Sequence, residues 1–344
     1  MAEARARKRI LSIDGGGIRG IIPLCVLAKL EARLKAQRGE GVALRDVFSF
    51  VAGTSTGSII AAGIAAGLPA SRMLDLYMKR VGEVFPSGPW LLPKRVILGY
   101  MYSSVALRGL IERELGAAGT WKLDDSPIDL LIAAVRLSDG MPWYFTKDKK
   151  TNLGQTGKLR LVDCATASAA APTYFDPFEI RDEITLPDGQ RERIGLMIDG
   201  GVGTAGNPVY QACVEAFEYT DDYRPEETTV VSLGTGHYLD RKRPTWIGSW
   251  LNWLLAELLR SPGEQQTELV HRHYSRATFY RIDQILKRDI PMDDSAATEE
   301  LREYGERLAE KVDWDAILAG EPLPPFSVGA GNTLPRQYSV RSAP

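Results

Sequence analysis

The chain has 344 residues, of which 44 % are hydrophobic and 25 % are charged, and this ordinary globular composition excludes a disordered or fibrous protein. Lysine and arginine number 42 against 44 aspartate and glutamate residues, a net charge of −2 that argues against a DNA- or RNA-binding protein, because phosphate binding favours a basic excess. Three cysteines without a C-x-x-C pair exclude a disulfide framework and a structural zinc site, and they predict a reducing, cytoplasmic location.

The first half of the chain alternates short apolar strands with helical patterns. Residues 9–13 predict a buried strand, residues 14–20 a glycine-rich turn, and residues 21–34 carry leucines at helical spacing. The unit then repeats, with a strand over residues 47–52, a second glycine turn, and a helix that begins at Ser58. Further strands are predicted over residues 130–137, 143–146, 196–198 and 229–233. This alternation predicts an α/β fold with a mostly parallel central sheet covered by helices.

The later part of the chain is less regular. Residues 85–102 mix prolines and glycines with apolar side chains and predict an irregular loop, which either packs in the core or forms a lid over a pocket. Residues 179–195 predict a surface hairpin. After His237 the strand pattern stops, and tryptophans at helical spacing predict a helix that packs in the core or touches a membrane interface; they are Trp246, Trp250 and Trp253.

These patterns divide the chain into three parts. The predicted parts are a catalytic core over residues 9–236, a helical extension over residues 237–321 packed on that core, and a tail rich in proline and glycine over residues 322–344. The apolar helices of the extension could also form a homo-oligomer interface.

The most informative motif runs from Gly53 to Gly57 and matches G-x-S-x-G, with Ser55 at its centre. It follows a predicted strand and precedes a predicted helix. In this context the flanking glycines permit a sharp turn that presents the serine hydroxyl, and the helix N-terminus favours negative charge. The motif predicts a nucleophile elbow, although small residues are also common in ordinary strand-to-helix turns.

A second glycine-rich turn runs from Asp14 to Gly20 and fits G-x-G-x-x-G after a strand. A dinucleotide site would need an acidic residue at the end of the second strand, where this chain instead has the turn around Ser55. Exposed N–H groups of the first turn would alternatively bind an oxyanion beside Ser55 or a phosphate, with Arg19 adding positive charge. We favour the oxyanion or phosphate, and a non-catalytic nucleotide- or anion-binding module stays open.

A nucleophilic serine needs a base. The order Ser55, Asp199, His237 would satisfy a hydrolase triad, since His237 follows a strand and a glycine turn. Asp199 is a second candidate, because it ends an apolar run and is followed by Gly200 and Gly201. Burial would raise the basicity of its carboxylate, and direct contact with the serine would replace the imidazole.

Taken in order, these three motifs resemble the patatin-like phospholipase family. Residues 165–175 are similar to that family's helix and turn before the aspartate strand, and residues 232–236 match a later family segment. The resemblance implies a three-layer α/β sandwich and a phospholipase A-type hydrolase that needs no metal or cofactor.

The resemblance also implies roles for individual residues. Ser55 would attack the acyl ester and Asp199 would accept its proton, forming a Ser–Asp dyad. Backbone N–H groups of Gly15, Gly16 and Gly17 would form the oxyanion hole, with Arg19 assisting; the flanking Gly53 and Gly57 complete the nucleophile elbow.

The length of the chain and its helical C-terminal segment resemble effector phospholipases of bacterial anti-phage systems, which cyclic oligonucleotides activate. This resemblance implies a cyclic-oligonucleotide activator, a role in antiviral defence, and membrane phospholipids as substrate, cleaved at the inner membrane face. The alternative enzyme is a soluble-ester hydrolase with the triad of Ser55, Asp199 and His237.

Overall fold

The computed structural model describes residues 7–84, 99–149, 156–185, 189–203, 205–238, 245, 247–321 and 339–340. At its centre the described residues form a nine-stranded sheet. The strands are β1 (Lys8–Ile13), β2 (Phe50–Thr54), β3 (Asp129–Arg136), β4 (Pro142–Thr146), β5 (Phe178–Thr185), β6 (Arg191–Asp199), β7 (Thr228–Leu233), β8 (Thr278–Ile282) and β9 (Ser339–Val340).

The sheet is parallel at its centre and antiparallel at one side. The strand order is β5-β6-β3-β2-β1-β7-β8-β9, with β4 paired to β3. Strands β3, β2, β1, β7, β8 and β9 run parallel to one another, whereas β4 and β6 are antiparallel to β3, and β5 to β6. Every residue of β2 and β7 is buried, as expected of strands covered on both faces.

Helices cover both faces of the sheet and complete a three-layer α/β sandwich, as predicted. The helices are α1 (Ile21–Arg38), α2 (Thr56–Ala66), α3 (Ala70–Val84), α4 (Ser104–Leu115), α5 (Leu161–Ala169), α6 (Val209–Glu218), α7 (Ile247–His273), α8 (Thr298–Ala309) and α9 (Trp314–Ala319). A large apolar core joins α1, α2, α4, α5 and α8 to one sheet face. A smaller core joins α6 and the C-terminal end of α7 to the other face.

The segment after His237 differs from the prediction that the strand pattern stops there. It contains the predicted helices α7 and α8, but it also adds β8 beside β7, and β9 pairs with β8. The strand β8 was not predicted because its five residues include the charged Arg281, which breaks the apolar pattern. In the structure this arginine forms a largely buried ion pair with Asp14. The predicted hairpin over residues 179–195 is formed by β5 and β6.

The predicted lid and tail are largely outside the residues that the structure describes. Residues 85–98 and 322–338, which include most of the predicted lid and tail, lie outside the described residues. None of the helices that the structure describes combines the length and the apolar character needed to cross a bilayer.

Candidate active site

Ser55 occupies the single position between β2 and α2. Its φ of 55° lies in the left-handed region, which is uncommon for residues other than glycine. A Cβ atom on Gly53 would overlap the carbonyl group of Gly57, and one on Gly57 would overlap the carbonyl oxygen of Ile13. The tight turn therefore requires Gly53 and its close approach to β1 requires Gly57, and Ser55 stands in the strand–turn–helix context that a nucleophile elbow needs.

Hydrogen bonds hold the backbone of Ser55 in this conformation. Its N–H donates to Oγ of Ser168 over 2.9 Å, and that hydroxyl donates to the carbonyl of Ala133 over 2.5 Å. The hydroxyl of Ser58 donates to the carbonyl of Ser55 over 2.6 Å. Both backbone groups of Ser55 are thus engaged, and the strained turn is fixed from α5 and α2.

Asp199 lies beside Ser55 because of the strand register. Thr54, the last residue of β2, stands opposite Ala133 of β3, and Asp199, the last residue of β6, stands opposite Ala134. β4 occupies the other edge of β3, so β2 and β6 approach the same edge from opposite directions and end at adjacent residues of β3, which brings Ser55 and Asp199 together. A Cβ atom on Gly200 would overlap the carbonyl of Ala133, which explains the glycine that follows the aspartate.

The Asp199 carboxylate is buried, with 2 % of the residue exposed. It accepts hydrogen bonds from the Ser55 hydroxyl and from the N–H of Gly201, the latter over 2.7 Å. Burial raises the pKa of Asp199 to about 6, and the two hydrogen bonds oppose this rise. An aspartate with this pKa is ionised at neutral pH and is a stronger base than an exposed one.

The glycine loop, residues 14–20, lies beside Ser55. The N–H of Gly15 donates to the carbonyl of Gly206 over 2.9 Å, so it is not available to an oxyanion. The N–H groups of Gly16 and Gly17 have no hydrogen-bond partner among the described residues. The backbone N–H of Thr56, which directly follows Ser55, likewise has no hydrogen-bond partner among the described residues. Thr56 was not predicted as an oxyanion-hole residue, although the residue after a nucleophilic serine commonly donates its N–H to the oxyanion.

Arg19 has a different position from the one expected. It is buried, and its guanidinium donates from Nε to the carbonyl of Gly16 and from Nη1 to that of Gly236, each over 3.4 Å. It is absent from the described residues that line the cavity at Ser55. Arg19 therefore braces the glycine loop against the turn after β7.

His237 does not join Ser55 and Asp199. Its Nδ1 lies 3.3 Å from Oδ2 of Asp283, at the end of β8, while Asp199 bonds Ser55 and Gly201. The alternative triad is therefore not assembled. The sequence order of its members was right for a triad, but order along the chain does not determine which strand ends meet.

An apolar cavity adjoins Ser55 and opens to solvent, and it holds about 1100 Å³ of space when its open mouth is included. It lies between α2, α3 and α4, and its lining includes Ile60, Met73 and Leu110. The charged side chains of Arg80 and Glu114 also line it and form an ion pair between α3 and α4. The cavity offers an apolar chain a path that reaches Ser55.

Other residues predicted to contact lipid are not among the described residues that line this cavity, or lie outside the described residues. Trp250 is 46 % exposed and its ring centroid lies 5.8 Å from that of Trp253, whereas Trp246, Trp90, Leu91 and Leu92 lie outside the described residues. Within the residues described, no group of three or more histidine, cysteine or acidic side chains is placed to hold a metal ion.

A model of the patatin-like phospholipase family matches residues 11–213, more than half of the chain. This chain belongs to that family. Among curated relatives, it is 31 % identical over 237 residues to the cGAMP-activated phospholipase of Escherichia coli (strain TW11681), covering 67 % of this chain and 63 % of that protein. It is also 31 % identical over 239 residues to the cGAMP-activated phospholipase of Vibrio cholerae, covering 66 % of this chain and 64 % of that protein.

A plant relative shows the same degree of sequence identity to this chain. Patatin-like protein 2 of Oryza sativa subsp. indica is 31 % identical over 276 residues, covering 72 % of this patatin-like chain and 66 % of the plant protein. The chain thus spans less than two thirds of each of these relatives. Among solved structures, the match to VipD from Legionella pneumophila covers 88 % of this chain and 67 % of the VipD chain, at 13 % identity and a TM-score of 0.38.

Proposed function

We propose that this protein is a lipid acyl hydrolase of the phospholipase A type that uses Ser55 and Asp199 as a catalytic dyad. The observation that carries the proposal is the hydrogen bond between the Ser55 hydroxyl and the buried Asp199 carboxylate, at the wall of an apolar cavity. Membership of the patatin-like phospholipase family supports it.

The proposed reaction has two steps, acylation of Ser55 and hydrolysis of the acyl-serine. Asp199 accepts the Ser55 proton as Oγ bonds to the ester carbonyl carbon, and the N–H groups of Gly16, Gly17 and Thr56 stabilise the resulting oxyanion. The intermediate collapses, the bond to the alcohol breaks, and Asp199 returns the proton to that alcohol. Asp199 then accepts a proton from water, which attacks the acyl-serine, and returns it to Ser55 as the fatty acid leaves.

The cavity supports a phospholipid acyl chain as the group bound next to Ser55. Each buried methylene contributes about 0.8 kcal/mol to binding, so a long chain gains several kilocalories from apolar walls such as Ile60 and Leu110. A small soluble ester would leave most of the cavity without contacts. The exposed Trp250, with Leu254 one helical turn later, would contact the lipid surface from which the substrate is taken.

The relatives add a regulatory component to the proposal. Two bacterial relatives are cGAMP-activated phospholipases, and we extend that activation and a role in antiviral defence to this chain. The matched region covers only part of each relative, so the activator is tested directly by adding cGAMP and other cyclic oligonucleotides to the assay.

The test is fatty-acid release from mixed phospholipid vesicles, measured by mass spectrometry with and without cyclic oligonucleotides. Ser55→Ala and Asp199→Asn are expected to abolish release, whereas the controls Ser49→Ala and Asp222→Asn, at the opposite end of the strands, should retain it. Release that depends on one nucleotide would support the activator.

Other outcomes would refute the dyad or change the proposed substrate or function. Release that survives Ser55→Ala would refute the dyad. If vesicles are not cleaved but a serine-reactive fluorophosphonate labels Ser55, the substrate is a different ester; if neither occurs, the glycine loop belongs to a binding module.

A further inference from the structure

We propose that the segment over residues 281–292 fixes the glycine loop in its catalytic position and that Arg281 is the positioning residue. This inference rests on the proposed function. The segment follows the residues that the family model matches, 11–213, and its strand was not evident from the sequence.

The first attachment is an ion pair at the start of the glycine loop. Arg281 donates from Nη1 to Oδ1 of Asp14 over 2.9 Å and from Nη2 to Oδ2 over 2.6 Å. Both side chains are largely buried, so the pair is held in the fixed fork geometry that arginine and carboxylate favour.

The arginine is itself held in place. It donates to Oγ of Ser232 at the end of β7 over 2.8 Å and to Oδ2 of Asp283 over 3.0 Å. Asp283 in turn accepts the N–H of Gly236 over 3.0 Å. Arg281 therefore ties the glycine loop to the ends of two neighbouring strands.

The second attachment lies on the other side of Gly16 and Gly17. The N–H of Ile18 donates to the carbonyl of Met292 over 2.8 Å. Gly17 has a φ of 58°, and a Cβ atom there would overlap that same carbonyl, so the backbone of Met292 lies directly against the loop. Gly16 and Gly17 thus lie between an anchor at Asp14 and an anchor at Ile18, both supplied by residues 281–292.

Loss of the arginine would release the first anchor, because the buried Asp14 carboxyl would lose both hydrogen bonds from the guanidinium. Burial raises the pKa of Asp14 to about 6 even beside Arg281, so without the arginine the carboxyl either takes up a proton or moves toward solvent. In both cases Arg281 no longer holds the start of the loop, and the N–H groups of Gly16 and Gly17 would shift with it. A displacement of about 1 Å in a catalytic group can cost about 100-fold in rate. Arg281 does not line the apolar cavity, so substrate binding should change little.

The experiment compares Arg281→Gln and Arg281→Lys with the control Lys149→Gln. Lys149 also lies between two carboxylates, with its Nζ 2.7 Å from Asp129 and 2.7 Å from Asp222, but at the opposite end of β3 from Asp199. Two quantities are measured: amide hydrogen exchange of residues 14–20, and kcat and KM with a soluble p-nitrophenyl ester.

For Arg281→Gln we expect faster exchange at residues 14–20 and a loss of about 100-fold in kcat with KM within about twofold. Arg281→Lys keeps the positive charge but cannot donate two parallel hydrogen bonds to the Asp14 carboxylate, so its kcat should fall about tenfold. Lys149→Gln should leave both the exchange of residues 14–20 and kcat unchanged, even if it lowers the melting temperature.

Unchanged exchange at residues 14–20 in Arg281→Gln would overturn the inference, as would faster exchange with an unchanged kcat. Failure of the proposed function gives a different result, because Ser55→Ala would then retain ester hydrolysis while the exchange of residues 14–20 still reports on the anchor.

Discussion

Replacement of Asp199 by asparagine is expected to abolish hydrolysis and, at neutral pH, to stabilise the fold. Burial raises the pKa of Asp199 to about 6, whereas an aspartate in an unfolded chain titrates near pH ~3.9. Since each pKa unit corresponds to about 1.4 kcal/mol, keeping this carboxylate ionised costs the native state about 3 kcal/mol at pH 7.

The sign of the effect depends on pH. Below about pH 4 the carboxyl group is protonated in both states and the cost is absent. Between about pH 4 and pH 6 the unfolded chain releases its proton first, so the wild type loses stability as pH rises, and above pH 6 the loss is constant. Asparagine carries no charge, and its unpaired amide hydrogens oppose the gain by about 1 kcal/mol. The variant should be more stable by about 2 kcal/mol at pH 7.5 and less stable by about 1 kcal/mol near pH 4.

Urea unfolding of both proteins at several pH values between 4 and 8 measures this difference. Asp222→Asn is the matched control, because hydrogen bonding to Lys149 lowers the pKa of Asp222 and its removal should not stabilise the protein at any pH. A stability difference between wild type and Asp199→Asn that does not change with pH would refute the argument that a buried charge is maintained at this position.

Four further results are expected. The rate kcat/KM should rise with pH through about 6, because only ionised Asp199 accepts a proton; a rate that is flat from pH 5 to 8 would assign the base elsewhere. Ser55→Gly should be more stable than Ser55→Ala by about 1–2 kcal/mol in chemical unfolding, because glycine adopts a positive φ without strain; equal stabilities would contradict the strain. Leu110→Trp should shift fatty-acid release from mixed-chain vesicles toward shorter chains, because it fills part of the cavity, and an unaltered product spectrum would place the acyl chain elsewhere. Trp250→Ser should weaken vesicle binding in flotation assays, whereas Tyr219→Ser, which removes an aromatic residue of equal exposure, should not; equal binding by all three proteins would exclude the tryptophan from the lipid contact.

The local parts of the fold and site were predictable from sequence. The turn at Ser55 is recognisable within five residues, because Gly53 is required by a close contact with Gly57, although Gly57 itself is required by its contact with Ile13 of β1. The strand before it, β2, and its neighbour β1 are short and mostly buried, and such short apolar runs are detected directly in the sequence.

The parts that were not predictable depend on distant segments. The occupied N–H of Gly15 depends on the carbonyl of Gly206, and the brace at Arg19 depends on the turn that ends at Gly236. The strand β8 was not predicted because an arginine normally indicates a surface position. Arg281 is buried only because it pairs with Asp14, which lies more than 260 positions earlier in the chain. No local pattern encodes such pairings.

The register of β3 has a consequence for how the proposed activity could be controlled. Thr54, directly before Ser55, and Asp199 are paired with the adjacent residues Ala133 and Ala134, so Ser55 and Asp199 meet as soon as the sheet is folded. A switch that works by assembling them would have to break the sheet. An allosteric signal is therefore expected to govern entry to the cavity or the alignment of the glycine loop, and a resting enzyme should already hold its nucleophile and base in contact.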